Sequence, residues 1–396
     1  MAEHRDLARR MARIMRCLRE RNPLPRLESR AGFYQVPSCT GGKPWTLPIT
    51  WYPSPACTWS ASGGCTMCNF GDGGIVIDEA EAVREFTTLL DQFPSSLQGL
   101  FLAPGGSFFN PREVSPTMRR SLLGALHRFG FLRMVGMETR PEHVTEAALA
   151  ETITLLPSTV RYMLIGFGLE SSDPLVREVA VGKGLNMPQL EAALSLIDRL
   201  RDAFPVRLGS ELYTLLKPPF LSEREAIDDA VRSIEWAWAR GADTLGLFIN
   251  VVKPQTLCAH LHALKDAESP FCFEPAWWFS AFEVLNRLPP ELAAKVQVLG
   301  PISEVAPLAG PRGCRLCVDL LSGLMTAWNL YRDQSLLVLA NEHRCHCREL
   351  WLKELGWTNL CLADRIPSYL AALEADFGLH SNEKQIPSDM LIYPTL

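Results

Sequence analysis

Short apolar runs typical of β-strands alternate, from residue 46 onward, with stretches whose apolar residues recur at helical spacing. Six such runs occur, at 46–52, 97–103, 131–138, 160–168, 207–216 and 244–251. This alternation predicts a parallel sheet built from repeated strand–helix units. A chain of 396 residues is long enough for one such barrel with an appendage. We therefore predict an α/β fold, a partial (β/α)6 TIM-like barrel with a C-terminal cysteine-bearing extension.

The pattern changes twice along the chain, which predicts three regions. Leu7, Met11, Ile14, Met15 and Leu18 recur at helical spacing, so residues 1–44 are predicted to form an N-terminal helical arm. Residues 45–295 are predicted to form the barrel. Beyond about residue 300 the alternation fades, and residues 296–396 are predicted to form an extension with a second cysteine-based metal site.

Polar or glycine-rich residues follow every strand-type run at the same end. In an α/β barrel the functional residues gather where each strand ends and its loop begins. The sequence therefore predicts one site at this face. Its segments are, in chain order, a cysteine loop, Gly105-Gly106-Ser107, Glu138-Thr139-Arg140, Gly168-Leu169-Glu170-Ser171, Lys217-Pro218-Pro219-Phe220 and Asn250.

The composition indicates a soluble chain in a reducing compartment. Hydrophobic residues make up 47% and charged residues 21%, and no apolar stretch is long enough to span a membrane. No secretion signal precedes the first helix, so a cytoplasmic location and no membrane partner are expected. In that compartment the 12 cysteines favour metal binding or redox work over disulfides.

The net charge of −5 offers no overall attraction for a nucleic acid. The first thirty residues are nevertheless rich in arginine. One interpretation is a solvated helix face, and the other is a local contact for RNA phosphates or an acidic partner. The arginines concerned are Arg5, Arg9, Arg10, Arg13, Arg16, Arg19, Arg21, Arg26 and Arg30.

Three cysteines, Cys57, Cys65 and Cys68, lie close together in the loop after the first strand-type run. Iron–sulfur clusters are usually held by four thiolates. Three leave one iron free for another ligand. Gly63 and Gly64 allow the backbone to fold tightly around a cluster. The alternative is a structural zinc site that lacks its fourth ligand.

This loop, the glycine pair at 105–106 and the Glu-Thr-Arg-Pro run at 138–141 resemble the radical S-adenosylmethionine (SAM) superfamily, in the branch that includes the Elongator catalytic subunit. Within that branch, Gly-Gly-Cys-Thr-Met-Cys at 63–68 is closest to the archaeosine-biosynthesis radical SAM proteins. The resemblance covers residues 45–355. Seven residues separate the first two cysteines, unlike the three of the commonest superfamily loop, but as in the longer loops of this branch.

The resemblance implies a barrel of radical SAM type with two cofactors. A [4Fe-4S] cluster would be held by Cys57, Cys65 and Cys68. SAM would chelate the fourth iron, and reductive cleavage would give a 5′-deoxyadenosyl radical. The cofactors carry this chemistry, and the protein positions them.

The same resemblance implies cofactor-binding roles for residues at the strand ends. Gly105 and Gly106 would face the methionyl amine, with Ser107 beside them, although a glycine pair by itself is commonly only a turn. Glu138 and Arg140 would contact the ribose or the methionyl carboxylate. The planar fork of Arg140 suits a carboxylate, with a structural ion pair as the alternative.

Further residues are predicted on the substrate side. Glu170 resembles an acidic residue that the family places near SAM or substrate, and Lys183 joins it as a candidate. Lys217 at a strand end is predicted to meet an anionic group of the substrate. Glu170 and Lys217 are thus the catalytic candidates, while Ser222 is expected to cap the next helix. The remaining substrate-side candidates are Asn250, Gln255 and Thr256.

Two cysteine pairs, Cys314 with Cys317 and Cys345 with Cys347, supply four more thiols. Four thiolates complete either a tetrahedral zinc site or a fully ligated iron–sulfur cluster. We predict one four-ligand site, with structural zinc favoured over an auxiliary cluster, because a short segment gains folding energy from a metal. His343 and His346 are interpreted as bystanders. Ordinary packing is expected for Cys258, His260 and His262, and burial for Cys17, Cys39, Cys272 and Cys361.

The resemblance implies a radical SAM enzyme that acts on a nitrogenous substrate. In the archaeosine branch that substrate is a 7-deazaguanine in tRNA that carries a lysine side chain. The radical cleaves this side chain and leaves a formamidine group on the base. A reductase or flavodoxin-type electron donor is expected, and a partner subunit could supply the grip on tRNA. The alternatives are radical tailoring of a small molecule or peptide, and a non-catalytic iron–sulfur or zinc interaction module.

Overall fold

The computed structural model describes residues 2–21, 31–40, 42–55, 57–70, 77–264, 271–300, 306–357 and 361–379. Its strands are β1 Gly32–Thr40, β2 Lys43–Trp51, β3 Gly99–Leu102, β4 Met134–Glu138, β5 Tyr162–Glu170, β6 Arg207–Leu216, β7 Thr244–Ile249 and β8 Val296–Leu299. Its α-helices are α1 Ala2–Arg21, α2 Glu79–Leu90, α3 Pro116–Ala125, α4 Glu146–Leu155, α5 Met187–Arg199, α6 Glu223–Ala239, α7 Leu257–Ala263, α8 Trp278–Arg287, α9 Pro290–Ala293, α10 Arg315–Tyr331, α11 Ser335–Glu342, α12 His346–Leu355 and α13 Leu362–Asp376.

The strands form one sheet in chain order. β1 and β2 make an antiparallel hairpin, in which Gly32 lies opposite Trp51 and Thr40 opposite Lys43. From β2 to β8 the strands are parallel, and each pairs with the next. Between the two edge strands, Gln297 Nε2 donates a 2.8 Å hydrogen bond to the carbonyl of Pro37. The sheet is therefore a nearly closed barrel.

Helices after the barrel strands begin at capping side chains that fix where each loop stops. Ser222 Oγ accepts from the N–H of Glu225, and the Glu225 carboxylate accepts from the N–H of Ser222, which is the capping box at the start of α6. Thr145 and Asn186 cap α4 and α5 by accepting from the N–H groups of Ala148 and Gln189. Because these caps satisfy otherwise unpaired N–H groups, they set the length of the loops at one face of the barrel.

The inside of the barrel has its own small apolar cluster, separate from the main core between sheet and helices. Leu47, Phe101, Leu164 and Tyr213 are its buried members. Three glycines make room for the ring of Tyr213 and for Phe101: a Cβ at Gly166 would lie 2.3 Å from the Tyr213 hydroxyl, one at Gly246 2.8 Å from its ring, and one at Gly136 2.1 Å from Phe101. The apolar cluster thus fills part of the barrel interior, and the rest of the interior stays open.

The first and last helices lie against each other. The five apolar residues of α1 that the sequence predicts, from Leu7 to Leu18, are all buried, together with Ala8. Arg10 donates two hydrogen bonds to Glu374 of α13, at 2.8 and 3.1 Å. Arg21 donates to the carbonyl of Phe377 at 2.6 Å. Some arginines of α1 therefore hold the C-terminal helix, while Arg26 and Arg30 lie outside the described residues.

The predicted fold class is confirmed, since the chain forms an α/β barrel followed by helices that carry the second set of cysteines. All six predicted strands occur, as β2 to β7. β1 and β8 complete the sheet but lie in the segments predicted as arm and extension. The main core runs from Leu7 to Phe377. The predicted boundaries between the three regions stay a prediction.

Candidate functional site

A cavity of about 280 Å³ lies inside the barrel and reaches the carboxyl ends of its strands. Residues from many separate segments line it, as expected where parallel strands end together. The predicted site residues among its lining are Cys57, Cys65, Cys68, Gly105, Gly106, Glu138, Arg140, Glu170, Lys183 and Asn250. Sequence-distant candidates therefore meet in one place.

The cysteine loop, residues 57–68, is folded by short-range bonds and anchored to its surroundings. The Ser60 N–H donates to the carbonyl of Cys57 at 3.0 Å, which starts a 3-10 turn. Gly63 and Gly64 follow with φ of 116° and 70°, a backbone that glycine adopts without strain. Thr66 binds the carbonyls of Val181 and Ala180 at 2.8 and 2.7 Å. The loop is thus fixed by contacts beyond β5.

A buried carboxylate that the sequence analysis did not single out joins this loop to the glycine pair. Glu113 is 1% exposed. Its Oε1 accepts from the Thr58 N–H at 2.8 Å, from the Thr58 hydroxyl at 2.6 Å and from Asn110 Nδ2 at 2.8 Å. Its Oε2 accepts from the Ser107 N–H at 2.5 Å. Glu113 thereby sets the position of Cys57 relative to the end of β3.

The three cavity thiols suit a cluster better than a single ion. No group containing all three of Cys57, Cys65 and Cys68 brings its ligand atoms within 4.8 Å of one another in the described chain. A tetrahedral ion needs its thiolates about 2.3 Å from one centre, whereas separate irons accept more widely spaced sulfurs. No fourth cysteine occurs among the described residues that line the cavity. The donor set fits a three-thiolate iron–sulfur cluster.

The charge environment of these thiols is costly without a metal. Burial raises the pKa of Cys57 to about 11. Burial likewise raises the pKa of Cys65 to about 12, and the ammonium of Lys183 opposes this rise. Since cysteine binds metals as the thiolate, a cationic metal centre together with Lys183 would supply the charge that burial removes.

The glycine pair shows why side chains are absent there. Gly105 lines the cavity with φ of 70°. A Cβ on Gly106 would lie 2.2 Å from Glu113 Oε2. Ser107 is fully buried and is not among the residues that line the cavity; its hydroxyl lies 2.6 Å from that of Thr139 and accepts from the Arg140 N–H at 2.9 Å. Ser107 therefore connects β3 to the end of β4.

The guanidinium of Arg140 is already engaged, although it lines the cavity. Its nitrogens donate to the carbonyls of Lys183 and Gly184 at 3.2 and 2.6 Å, and Nε donates to Glu142 at 2.6 Å. It also lies over the ring of Trp59, 5.1 Å from the centroid. These contacts hold the loop around residue 183 against the cysteine loop, which corresponds to the structural alternative for Arg140.

Glu170 and Lys183 form an ion pair of 2.8 Å at the cavity wall. The β5–β6 register shifts between Gly168 and Glu170, and Glu170 adopts φ of 64°. A bulge redirects a side chain, and a left-handed backbone at a non-glycine residue is unfavourable unless its surroundings hold it. Burial disfavours the Lys183 ammonium, but Glu170 outweighs this and raises the pKa of Lys183.

Lys217 lies elsewhere. It is buried, its ammonium is paired with Glu223, and it is not among the cavity-lining residues. Arg312 also contacts Glu223, at 3.4 Å. Thr256 caps α7 by accepting from the Ala259 N–H at 3.1 Å, and neither Thr256 nor Gln255 lines the cavity. The catalytic role predicted for Lys217 stays a prediction, while its position is that of a buried structural pair.

The cavity also contains polar residues absent from the sequence-based candidates. They come from the barrel interior, where side chains alternate with outward-facing ones, and from the loop after β7. For Glu211 the sequence did offer a signal, because it is a charged residue within the apolar run 207–216. These residues are Tyr34, Glu211, Tyr213, Lys253 and Gln297.

The second set of cysteines converges at the start of α10 and α12. The Sγ of Cys317 lies 2.9 Å from that of Cys345 and 3.4 Å from that of Cys314, and the Cys314 N–H donates to Cys347 Sγ at 3.1 Å. His343 Nε2 lies 3.2 Å from Cys317 Sγ. Ligand atoms of this set fall into groups closer than 4.8 Å. Two groups result, Cys314 with Cys317 and Cys347, and Cys317 with His343 and Cys345, and either could hold a metal ion. His343, interpreted from the sequence as a bystander, lies within reach of this site, and the single four-cysteine site stays a prediction.

Among the described residues, His260 and His262 belong to no group of side chains close enough to hold a metal ion. His260 pairs with Asp376 at 2.7 Å, and His262 faces the Phe273 carbonyl at 2.9 Å, as expected for ordinary packing. The predicted burial of four isolated cysteines is wrong: Cys272 and Cys361 are exposed, and Cys17 and Cys39 are half-buried. Among the described residues, no helix is both long and apolar enough to cross a membrane.

Comparisons with known proteins give relatives along most of the chain. No family model matches. The chain is 29% identical over 346 residues to archaeosine synthase subunit beta of Methanosarcina acetivorans, covering 84% of this chain and 91% of that protein. It is 24% identical over 318 residues to archaeosine synthase subunit beta of Thermococcus kodakarensis, covering 78% and 92%.

Two solved structures match this chain at low similarity. One is a queuine lyase from Clostridium spiroforme bound to SAM and queuine, at 13% identity and a TM-score of 0.39, covering 55% of this chain and 80% of that one. The other is a radical SAM methyltransferase from Kitasatospora setae with cobalamin and a [4Fe-4S] cluster, at 13% and 0.40, covering 74% and 60%. The relatives in sequence confirm the resemblance predicted from the cysteine loop: the chain is similar to archaeosine synthase beta subunits over most of its length.

Proposed function

We propose that this chain is a radical SAM enzyme that acts on a tRNA-related substrate, and that its reaction is of archaeosine type. In that reaction the C–N bond of a lysine side chain attached to a 7-deazaguanine of tRNA is cleaved, which leaves a formamidine group. The observation that carries the proposal is the shared cavity of three thiols and the strand-end residues. The names of the two archaeal relatives support the choice of substrate.

The cavity residues fit both expected cofactors. Cys57, Cys65 and Cys68 would hold a [4Fe-4S] cluster. When bound, cluster and SAM supply a one-electron cleavage that yields a 5′-deoxyadenosyl radical. Gly105 leaves its backbone accessible to the amino acid end of SAM, and Glu138, at the end of β4, offers a carboxylate to hydroxyl groups.

The chain's own residues hold charge and position around this site. Lys183 offsets the burial of Cys65 and so favours the thiolate that a metal requires. Glu170 fixes Lys183 in place through their ion pair. Arg140 ties the segment of Lys183 to the ring of Trp59 in the cysteine loop. We propose that these three residues position the cofactors, with Glu170 and Lys183 nearest to the reacting groups.

The proposed substrate is a polyanion, whereas the chain carries a net charge of −5. Phosphate contacts supply most of the affinity in nucleic-acid binding. We propose that a partner subunit provides much of this contact, in line with the word subunit in the relatives' names. A reductase or flavodoxin-type protein is the proposed electron donor.

Anaerobic reconstitution with iron and sulfide, followed by dithionite and SAM, tests the enzyme class. The proposal predicts 5′-deoxyadenosine, measured by chromatography, from the wild-type chain. A non-catalytic interaction module would bind iron or zinc and produce none. Absence of 5′-deoxyadenosine from a fully loaded, reduced protein contradicts the proposal.

Binding to tRNA at several salt concentrations tests the substrate. Affinity for a tRNA that carries the lysine-modified base, with and without the partner subunit, should fall steeply as salt rises, because bound phosphates release counterions. Conversion of the base is read by mass spectrometry of digested tRNA. If 5′-deoxyadenosine forms but neither binding nor conversion of tRNA occurs, tailoring of a small molecule or peptide replaces the archaeosine reaction.

A further inference from the structure

One carboxyl group inside the barrel is not used by any residue role described above. Glu211 lies in the middle of β6, lines the cavity and is 7% exposed. Its neighbours on the interior side are mostly apolar or aromatic, including Leu47, Phe101 and Phe248. An isolated charge in such surroundings is expensive to bury unless something pairs with it.

Within the described chain, Glu211 has little to pair with. Its Oε2 accepts one hydrogen bond, from the Tyr213 hydroxyl at 3.1 Å. None of the ion pairs among the described residues includes Glu211, and Oε1 has no recorded hydrogen-bond partner there. Tyr162 faces it from β5, and that phenol is neutral near pH 7 since burial raises its pKa. Among the described residues, Glu211 Oε2 thus has one donor and Oε1 has none.

We propose that Glu211 binds the exocyclic amino group and the neighbouring ring N–H of a guanine-type base that enters the barrel, and so selects the substrate. This inference rests on the proposed function, because it names the group that recognises the base. A carboxylate has two oxygens side by side, and such a base presents two N–H donors side by side on one edge. The pair forms two parallel charge-assisted hydrogen bonds.

The walls around Glu211 suit a flat ring. Enzymes that act on a base take it out of its stack and hold it between aromatic or apolar side chains. Tyr34, Phe101, Tyr213 and Phe248 line the same cavity as Glu211. Lys253 also lines it; its ammonium lies 4.9 Å from the ring centroid of Phe70, and none of the ion pairs among the described residues includes it. The Glu211 carboxylate would thus bind the base of a nucleotide, and the Lys253 ammonium would bind its phosphate.

The protonation state agrees with this role at mildly alkaline pH. Burial raises the pKa of Glu211 to about 7, while the hydrogen bond from Tyr213 opposes this rise. Above that pH the group is an anion that accepts from two N–H donors. The two neighbouring phenols, Tyr162 and Tyr213, both have raised pKa values and do not titrate there.

The test compares two bases on the reconstituted holoprotein at pH 8. The probes are 7-deazaguanine and 7-deazahypoxanthine, which lacks the exocyclic amine, and binding is measured by calorimetry. Loss of one charge-assisted hydrogen bond predicts binding of 7-deazaguanine about 10- to 100-fold tighter than 7-deazahypoxanthine. In Glu211→Gln this preference should disappear, because the amide cannot accept at both positions.

Two further variants guard against trivial explanations. Asp229→Asn removes a buried carboxyl that binds Ser171 outside the cavity, and should keep the preference between the bases. Tyr213→Phe keeps the carboxylate and removes only its internal donor, so the preference should persist. A loss of preference in Asp229→Asn as large as in Glu211→Gln would overturn the assignment.

The outcome separates this inference from the proposed function. Equal binding of both bases to the wild type, or no binding of either, overturns the role of Glu211 even if 5′-deoxyadenosine is formed. A Glu211-dependent preference supports it, even if dithionite and SAM give no 5′-deoxyadenosine and the proposed reaction fails. A preference that survives in Glu211→Gln also overturns it.

Discussion

The two cysteine sites of this molecule differ in how closely they gather their ligand atoms. Cys57, Cys65 and Cys68 line a cavity and are not grouped within 4.8 Å, whereas Cys314, Cys317 and Cys347 are, as are Cys317, His343 and Cys345. Structural metal sites are closed by protein ligands, and catalytic sites keep a position open. We therefore propose that the first site exchanges small molecules and that the second gives structural support.

The charged residues around the two sites have different partners. Near the first, the ion pair of Glu170 with Lys183 lies at the cavity wall. Near the second, the ion pairs join separate segments: Arg312, two residues before Cys314, contacts Glu354 of α12 at 2.5 Å and Glu274 at 2.9 Å. The same guanidinium reaches Glu223 of α6. The second site thus joins the C-terminal helices to the barrel.

The largest effect on activity is expected at the first cysteine site, here called the open site, which consists of Cys57, Cys65 and Cys68. Cys57→Ala, Cys65→Ala or Cys68→Ala should each remove the iron–sulfur absorbance and lower 5′-deoxyadenosine formation more than about 100-fold, beyond the loss seen for outer ligand partners. Cys39→Ala, a half-buried cysteine of β1, is the control. Wild-type product formation by any of the three variants would break the comparison.

The closed site should affect stability instead. Cys317→Ser removes the thiol that contacts three other ligand atoms. We expect loss of one metal ion per chain, measured by elemental analysis, and a thermal midpoint lowered by about 10 °C, as for a loss of a few kcal/mol. Cys272→Ser, at an exposed cysteine, is the control. An unchanged midpoint together with lost 5′-deoxyadenosine formation would make this site catalytic.

A third prediction concerns the free energy of unfolding, which the buried Glu211 carboxylate lowers as pH rises. The folded pKa of Glu211 is about 7, above the ordinary 4.5. Between these values the native state keeps a proton that the unfolded state releases, so wild-type stability falls as pH rises. Glu211→Gln should therefore gain relative stability from pH 5 to pH 8, by about 3 kcal/mol, measured by urea unfolding. Glu235→Gln, on the exposed face of α6, should show no such trend.

The smallest effect is expected for the support of the open site. Glu113→Gln keeps an oxygen for Thr58 and Asn110 but turns a donor toward the Ser107 N–H. We expect about a tenfold loss in kcat/KM, as for one hydrogen bond, and a changed electron paramagnetic resonance spectrum of the reduced cluster. Asn110→Asp replaces the Nδ2 donor to Glu113 with a carboxylate oxygen and should cause a loss at least as large. A lower thermal midpoint with an unchanged spectrum would make Glu113 merely structural.

The parts of this molecule that local pattern determines could be predicted from the sequence. Strand-type runs, the cysteine loop and the Ser222 cap depend on residues close in the chain, and all three occur as expected. The edge strands were not predicted, because β1 is joined to β2 in an antiparallel hairpin rather than through a helix, and β8 lies where the repeated strand–helix pattern ends. The hydrogen bond from Gln297 of β8 to the Pro37 carbonyl of β1 exists only because the two edge strands come together in the fold.

Long-range partners were likewise beyond local pattern. Glu113 lies far in sequence from Thr58, and nothing in its own segment marks it as the acceptor for the cysteine loop. His343 is separated from Cys317 by a helical hairpin that brings them together. Lys217 follows a strand as a functional residue would, yet its buried partner Glu223 comes from the adjoining helix.

The clamp between α1 and α13 has a consequence for how the metal centre matures. Arg19 of α1 donates to the carbonyl of Cys68 at 3.2 Å, while Arg10 of the same helix holds Glu374 of α13. The ribosome makes α1 well before α13, so this support for the cysteine loop is complete only after α13 has been synthesised. Iron and sulfide added to a chain that already contains α13 would therefore meet a cysteine loop held in place, whereas a shorter nascent chain would present the same thiols without that support.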